Sequence, residues 1–139
     1  MPKSVVLDTN VVVSAHLKAE GVEWFVFTMA LKGDLKLFVS APILEEYRDV
    51  LKRKRLRLSL ERVEASLKYI EAHATHCEPK RTVLAAGDPE DNKFLECAQE
   101  VGADFLVTAN KRHFPRAWGT TRVVNARELL EIIIPELKR

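Results

Sequence analysis

The feature that most constrains the fold is the alternation of short apolar runs with longer segments that carry apolar residues at helical spacing. The predicted strands are residues 4–7, 35–39, 105–107 and 122–124. Short apolar strands that are separated by helices are typical of a parallel sheet covered on both faces. The pattern therefore predicts an α/β fold, a three-layer α/β/α sandwich with a parallel sheet of four or five strands.

Helical periodicity and capping residues mark the other elements. The predicted helices are residues 11–18, 22–32, 59–74, 90–101 and 126–134, with a further helix that begins after Ser40. Ser40 and Asn125 favour helix starts, whereas Gly102 favours a helix end. The residues expected to face the core are Phe25, Met29 and Ala30 in the second helix and Leu44, Tyr47 and Leu51 in the third.

Length and composition fit one domain. The chain has 139 residues and no linker long enough to divide it, so we expect a single domain over residues 1–139. Its formal net charge of +2 neither favours nor excludes nucleic-acid binding. Cys77 and Cys97 do not match a disulfide scaffold or a zinc site. Because no signal peptide or membrane-spanning run is visible, we expect a cytoplasmic protein with no membrane partner.

Acidic residues occur where the predicted strands end. In open parallel sheets, binding sites form outside the carboxyl ends of the strands. Asp8 directly follows the first strand, Glu46 lies two turns into the helix after the second, and Asn110 follows the third. Asp88 and Asp91 flank the start of the helix that precedes the third strand. We expect these side chains to converge at one edge of the sheet.

Asp104 is expected at the opposite edge. It stands at the start of the third strand, four residues before Thr108. At about 3.3 Å per residue, this separation is roughly 13 Å. Asp104 is therefore left out of the predicted site.

Each acid also has an explanation that needs no functional site. Asp8 could cap the following helix, and Asp88 and Asp91 could be first-turn charges that the helix dipole favours. Glu45 and Glu46 could both be solvated surface; they lie about 100° apart on the helix, and the apolar pattern does not choose between them. The convergence of several acids on one edge favours a site.

Carboxylates that gather at one edge repel one another and need a counter-charge. Hard oxygen ligands suit Mg²⁺ or Mn²⁺, which bind through one or two carboxylates and a substrate phosphate. Such an ion orients a water molecule, lowers its pKa and stabilises the charge that builds on a phosphoryl group. The predicted chemistry is phosphodiester hydrolysis.

Four stretches in chain order resemble the motifs of the PIN-domain nucleases, and in particular the VapC-like toxin components of toxin–antitoxin modules. The stretches are VVLDTN from Val5, SAPILEEYRDVL from Ser40, DPEDNKFLECA from Asp88 and ADFLVTANKRHF from Ala103. One such stretch alone is a weak signal, but the ordered set spans nearly the whole chain. The resemblance places Asp8, Glu46 and Asp91 at acidic positions of the family, with Asp88 as an auxiliary acid.

The resemblance implies an endoribonuclease that depends on Mg²⁺ or Mn²⁺ and cuts RNA. It implies that Asp8, Glu46 and Asp91 hold the metal, with Asp88 as an additional metal ligand. It also implies that the protein forms a homodimer and has a cognate antitoxin that covers the site. The chain departs from the pattern at Asn110, where many relatives carry aspartate. An amide offers a carbonyl oxygen but no charge, so the departure predicts a weaker metal site. It also keeps open a catalytically silent PIN-like domain that binds RNA or protein.

Several side chains near the predicted site are candidates for auxiliary roles or substrate contacts. Thr9 has a hydroxyl that could position water. The basic and imidazole side chains that follow the third strand are Lys111, Arg112, His113 and Arg116. They could bind the phosphates of an RNA backbone, as could the basic run at residues 52–57. Either group could equally be solvated charged surface.

Other functions of α/β proteins fit less well. A phosphoacceptor receiver domain needs an aspartate after a later strand, but the second and third strands end in Ser40 and Thr108. A haloacid-dehalogenase-type phosphatase needs a second aspartate where Asn10 stands. A structure-specific DNA nuclease usually carries larger insertions than this chain.

Overall fold

The predicted strands assemble into one mostly parallel sheet in the computed structural model, which describes residues 2–135. Met1 and residues 136–139, the ends of the predicted domain, lie outside the described residues. The strands are β1 (Lys3–Leu7), β2 (Leu35–Val39), β3 (Thr75–His76), β4 (Phe105–Val107), β5 (Ala117–Trp118) and β6 (Thr121–Val124). Their order across the sheet is β3-β2-β1-β4-β6-β5, and only the β5–β6 pair is antiparallel among these strands.

In the part of the chain that the structure describes, six α-helices connect and cover the strands. They are α1 (Thr9–Leu17), α2 (Val22–Lys32), α3 (Ala41–Leu51), α4 (Leu60–His73), α5 (Asn92–Val101) and α6 (Ala126–Ile133). Helix α5 packs on β1, β2 and β4, while α2 packs on β2 and α6. The predicted fold class, a three-layer α/β/α sandwich, is confirmed. Within residues 2–135, every helix is too short or too polar to cross a lipid bilayer.

The core lies between the sheet and its helices. Val5, Val6 and Leu7 in the central strand β1 are fully buried, which explains why this strand is a continuous apolar run. Tyr47 and Phe94 are the largest fully buried side chains and lie on α3 and α5. These two helices flank the carboxyl end of β1 and therefore fix the positions of the polar residues that follow it.

Three details of the prediction need correction. Within residues 2–135 the sheet has six strands, rather than the predicted four or five, and the strands that the prediction lacks include the two-residue strands β3 and β5. In α2, Phe25 is 48% exposed, because the buried face passes through Val26, Phe27 and Ala30. In α3, Ile43 is buried with Tyr47 and Leu51, whereas Leu44 is only partly buried.

The parallel register brings the ends of β1 and β4 side by side. Leu7 pairs with Val107, and the Asp8 amide donates a hydrogen bond of 2.9 Å to the Val107 carbonyl. The Thr108 amide donates one of 2.9 Å to the Val124 carbonyl of β6. The first polar residues after β1 and β4 therefore lie at one edge, as the sequence predicts.

Asp104 lies at the other edge of the sheet, where the sequence predicts it. Its Oδ2 accepts hydrogen bonds from the Ser4 amide (2.8 Å) and the Ser4 hydroxyl (3.1 Å), close to the start of β1. The Asp104 amide in turn donates to the Ser4 hydroxyl over 2.8 Å. This reciprocal contact ties the start of β4 to the start of β1.

Replacing Asp104 with alanine should lower stability without touching the candidate site. The substitution removes two acceptor bonds of a partly buried carboxylate, so we expect the free energy of unfolding to fall by about 2 kcal/mol. Urea unfolding of wild type and Asp104→Ala measures this difference. The cleavage activity that the resemblance implies should stay unchanged per folded molecule, and a specific loss of that activity would place Asp104 in the site after all.

Candidate active site

Asp8 is the most buried of the candidate acids, with 6% of its surface exposed. It precedes α1 but makes no capping hydrogen bond to that helix, so capping does not explain it. Its Oδ2 instead accepts a hydrogen bond of 2.7 Å from the Thr108 hydroxyl, which is fully buried at the end of β4. The carboxylate is thus held at the edge of the sheet.

The surroundings of Asp8 disfavour its charge. Burial, together with the negative charges of Asp91 and Glu46, raises the pKa of Asp8 from 3.8 to about 6, against the opposing bond from Thr108. A carboxylate in such surroundings gains from a nearby cation. Asp91 and Glu46 therefore lie within electrostatic reach of Asp8.

Glu46 faces this cluster, whereas Glu45 is exposed on α3. Tyr47 holds α3 in place, because its buried hydroxyl donates a hydrogen bond of 2.5 Å to the Leu7 carbonyl. The Thr9 hydroxyl donates to Glu46 Oε2. Thr9, expected to act as an auxiliary residue, therefore contacts an acid of the cluster directly.

Lys93 supplies a positive charge that the sequence analysis missed. Its Nζ lies 2.6 Å from Glu46 Oε1 and 3.7 Å from Glu90, with 17% of the side chain exposed. Burial opposes the charge of Lys93, but the contact with Glu46 and the nearby acids raise its pKa, so the ammonium form is stable. The need of clustered carboxylates for a counter-charge was the signal that could have identified it.

Asp91 completes the cluster, and Asp88 stands beside it. Asp91 ends a 3₁₀ turn, Pro89–Asp91, that leads into α5, and 18% of its side chain is exposed. Burial and the charges of Asp88 and Glu46 raise its pKa. Asp88 is exposed and caps the turn, its Oδ1 accepting a bond of 2.9 Å from the Glu90 amide. Asp88 therefore adds negative charge beside the cluster, while its Oδ1 is already used in a hydrogen bond within the turn.

The loop after β4 is tied to the loop after β1. The Asn10 side-chain oxygen accepts a hydrogen bond of 3.1 Å from the Ala109 amide, and the Asn110 amide donates one of 3.0 Å to the Thr108 hydroxyl. Thr108 thus connects Asp8 to Asn110 and is a second residue that sequence analysis missed. Its place as the first polar residue after an apolar strand was the available signal. The Asn110 side chain is exposed.

Residues of the next turn, Lys111–His113, point in different directions. His113 Nδ1 lies 3.6 Å from Asp91 Oδ2, although 53% of the His113 side chain is exposed. Lys111 makes an ion pair of 2.8 Å with Glu128 on α6. Arg112 is exposed. Of the three predicted substrate contacts, only His113 therefore touches the acidic cluster itself.

The donor set fits a hard divalent cation. Asp8, Glu46 and Asp91 offer oxygen ligands, and burial together with the repulsion of neighbouring acids raises the pKa of Asp8 and Asp91. A bound cation would offset both effects. As the side chains stand, no group of three His, Cys, Asp or Glu residues within residues 2–135 is gathered tightly enough to hold a metal ion. Both Glu46 oxygens are engaged by Thr9 and Lys93. Metal binding therefore requires Glu46 to adjust.

The contact between Lys93 and Glu46 predicts that Lys93 weakens metal binding. Lys93→Gln keeps a hydrogen-bond donor but removes the charge that opposes a divalent cation. Removing one positive charge beside a well-screened carboxylate cluster makes the free energy of metal binding more favourable by on the order of 1.4 kcal/mol. We therefore expect the Mn²⁺ dissociation constant to fall about tenfold. Isothermal titration calorimetry measures this constant directly.

Lys32→Gln is the matched control, because Lys32 is an exposed lysine paired with Asp34 at the end of α2. It lowers the net charge by the same amount and should leave Mn²⁺ binding unchanged. Weaker binding in Lys93→Gln would mean that Lys93 holds Glu46 in a position suited to the metal, contrary to the prediction.

Fold and site together define a class of protein: a mostly parallel α/β domain with clustered carboxylates at the carboxyl edge of its sheet. A family model described as PIN domain matches residues 4–112, which is most of the chain. The chain therefore belongs to the PIN-domain family, and the predicted family is confirmed. PIN domains are generally nucleases that use divalent metal ions.

A solved structure shares the fold. The chain is similar to a chain of VapBC2 from Rickettsia felis, solved bound to a DNA fragment from their promoter, with a TM-score of 0.58 and 17% sequence identity. The match covers 88% of this chain and 98% of that chain. At this identity the likeness concerns the fold. No curated protein matches the sequence.

Proposed function

We propose that this PIN-domain protein is a metal-dependent endoribonuclease that acts as the toxin of a toxin–antitoxin pair. The observation that carries the proposal is the convergence of Asp8, Glu46 and Asp91 at the carboxyl edge of the sheet, where burial and repulsion raise the pKa of both aspartates. Family membership supports nuclease activity, and the ordered motifs support RNA as the substrate.

Each candidate residue has a distinct role in this proposal. Asp8, Glu46 and Asp91 hold Mg²⁺ or Mn²⁺, and Asp88 strengthens the negative field beside them. When bound, the metal activates water and stabilises charge on the phosphoryl group. The residues proposed to position the acids or the substrate are Thr9, Thr108, Asn110, Lys111, Arg112 and His113.

Two protein partners belong to the proposal. A cognate antitoxin that covers the acidic cluster is supported by the motifs and by the VapBC2 complex as the structural neighbour. A homodimer rests on the resemblance alone. We expect the protein to co-purify with the product of an adjacent small gene. The complex should be inactive, and removal of that partner should restore activity.

The second candidate function is a PIN-like domain that binds RNA or protein without cutting it. Two observations favour it: Asn110 stands where many relatives carry an acid, and Lys93 already neutralises Glu46. Both reduce the negative charge that is available to a metal.

Cleavage of a mixed RNA pool with Mg²⁺, with Mn²⁺ and with EDTA distinguishes the two functions. A matched single-stranded DNA pool tests the class of substrate. Cutting of RNA alone, lost in EDTA, is the expected result. Binding of RNA without cutting by folded protein in either metal would favour the silent domain, and cutting of both pools would broaden the substrate to nucleic acid in general.

A further inference from the structure

A pocket of about 580 Å³ opens beside the turn Lys111–His113, next to the candidate site. Its charged lining comes from that turn, from Arg116, from Arg122 on β6 and from Glu128 on α6. The antiparallel pairing of β5 with β6 brings Arg122 opposite Ala117 and so close to Arg116. Residues from three segments thus form one basic pocket.

The basic pocket has an excess of positive charge. It contains four cations, Lys111, Arg112, Arg116 and Arg122, and one carboxylate, Glu128. Lys111 is paired with Glu128 at 2.8 Å, and the more distant charge of Arg122 also helps to lower the pKa of Glu128. The three arginines are exposed, and none of their side chains makes a hydrogen bond or a close ion pair with the described residues. Their guanidinium groups can therefore bind an anion.

The chemistry of the lining favours phosphates over bases. Guanidinium groups bind phosphate oxygens through two parallel hydrogen bonds. The apolar residues of the pocket, Phe114 and Val123, are each only 7% exposed, so the pocket offers no aromatic face on which a base could stack. Such a surface binds a nucleic-acid backbone without regard to its sequence.

The position of the pocket links it to the acidic cluster. Arg112 is next to His113, which lies 3.6 Å from Asp91. We propose that the basic pocket binds successive backbone phosphates of the nucleic-acid strand that enters the candidate active site. This inference rests on the proposed function, because only an active site at the acidic cluster would draw the nucleic-acid strand past the pocket toward Asp91. It adds Arg122 to the candidate substrate contacts and assigns sequence-independent affinity to Arg112, Arg116 and Arg122 together.

A binding assay separates this proposal from nuclease activity. The Asp8→Asn protein, kept in EDTA, is titrated into a fluorescein-labelled single-stranded 12-mer RNA at several salt concentrations. Loss of three phosphate contacts, in Arg112→Gln/Arg116→Gln/Arg122→Gln, should reduce the slope of log affinity against log salt by about 2. At 0.1 M salt the affinity should fall by on the order of 100-fold.

A matched triple variant controls for net charge. Lys18→Gln/Lys68→Gln/Arg81→Gln also removes three exposed cations, none of which lines the basic pocket or belongs to the basic run at residues 52–57. It should keep most of the affinity, and circular dichroism should show both variants folded. Equal losses in the two variants would assign binding to overall charge and overturn the proposal.

The remaining outcomes are also decisive. A polyglutamate peptide of the same charge that binds the wild-type pocket more tightly than the RNA would assign the pocket to an acidic protein segment instead. RNA binding that depends on the three arginines, in a protein that never cuts RNA, would support the basic pocket while contradicting the proposed nuclease function.

Discussion

Asp8→Asn should lose at least about 100-fold in RNA cleavage while the protein stays folded. Asp8 is the most buried of the three proposed metal ligands, and an amide cannot supply the charge that a divalent cation requires. Loss of an outer-shell partner alone costs 10- to 100-fold at metal sites, so loss of a ligand should cost more. The Thr108 hydroxyl can still donate to the side-chain oxygen of the introduced asparagine, which preserves the local structure.

The measurement is the initial rate of RNA cleavage at saturating Mn²⁺, with Mn²⁺ affinity determined in parallel by calorimetry. Asp34→Asn is the matched control, because Asp34 is an acid in the turn before β2, paired only with Lys32 among the described residues. It should retain full activity and full Mn²⁺ affinity. An Asp8→Asn protein that cuts RNA at the wild-type rate would exclude Asp8 as a ligand and, with it, the proposed arrangement of the site.

The fold could be predicted because its elements differ in period and length. Apolar strands such as β1 and β4 and helices with a clear apolar stripe such as α4 carry strong local signals. Strands β3 and β5 have two residues each, too few to show any period, and exist only because β2 and β6 offer partners for their backbones. Phe25 was misplaced because packing partners, rather than composition, decide which side of an apolar helix is buried.

The site could be predicted in part for a topological reason. The rule that parallel strands end at a common edge selected Asp8 and excluded Asp104, and the register of β1 with β4 explains both results. The choice of Glu46 over Glu45 came from the family motif, since the apolar pattern of α3 did not decide it. In the structure the distinction follows from the contacts that Thr9 and Lys93 make with Glu46.

Contacts between residues that are far apart in the chain could not be predicted from local sequence patterns. Lys93 and Glu46 are 47 positions apart, and only the packing of α3 against α5 brings them together. The basic pocket has the same origin, because Arg122 joins Arg112 and Arg116 through the reversal of the chain between β5 and β6. Counting charges along the sequence groups Arg112 with Arg116 but does not include Arg122.

In metal-free protein, ionisation of Asp8 should lower stability as the pH rises from about 4 to about 6. Folding raises the pKa of Asp8 from 3.8 to about 6, so the folded state holds the proton more tightly than the unfolded state does. Protonated Asp8 therefore contributes its full stabilisation below pH 3.8, which is its pKa in the unfolded state. This contribution to the free energy of unfolding is lost as the pH rises through about 6, which is its pKa in the folded state. About two pKa units correspond to roughly 3 kcal/mol.

Urea unfolding of wild type and Asp8→Asn in EDTA, at pH values from 4 to 7, isolates this contribution. Glu64 and Glu128, which have lowered pKa values, and Asp91, which has a raised one, titrate in both proteins. Only the difference between the two proteins therefore reports on Asp8. The stability of Asp8→Asn relative to wild type should rise by roughly 2.5 kcal/mol over this range and then level off. A difference that does not change with pH would contradict the raised pKa.

Saturating Mn²⁺ at pH 7 should raise the free energy of unfolding of wild type by more than that of Asp8→Asn. A cation that binds the folded state alone stabilises it, and it does so most where the carboxylate is ionised and otherwise repelled by Asp91 and Glu46. Wild type should therefore gain more stability from Mn²⁺ than Asp8→Asn does. The same buried charge that destabilises the metal-free protein would then be the source of its metal affinity, which is a physical reason for a folded domain to keep an aspartate at 6% exposure.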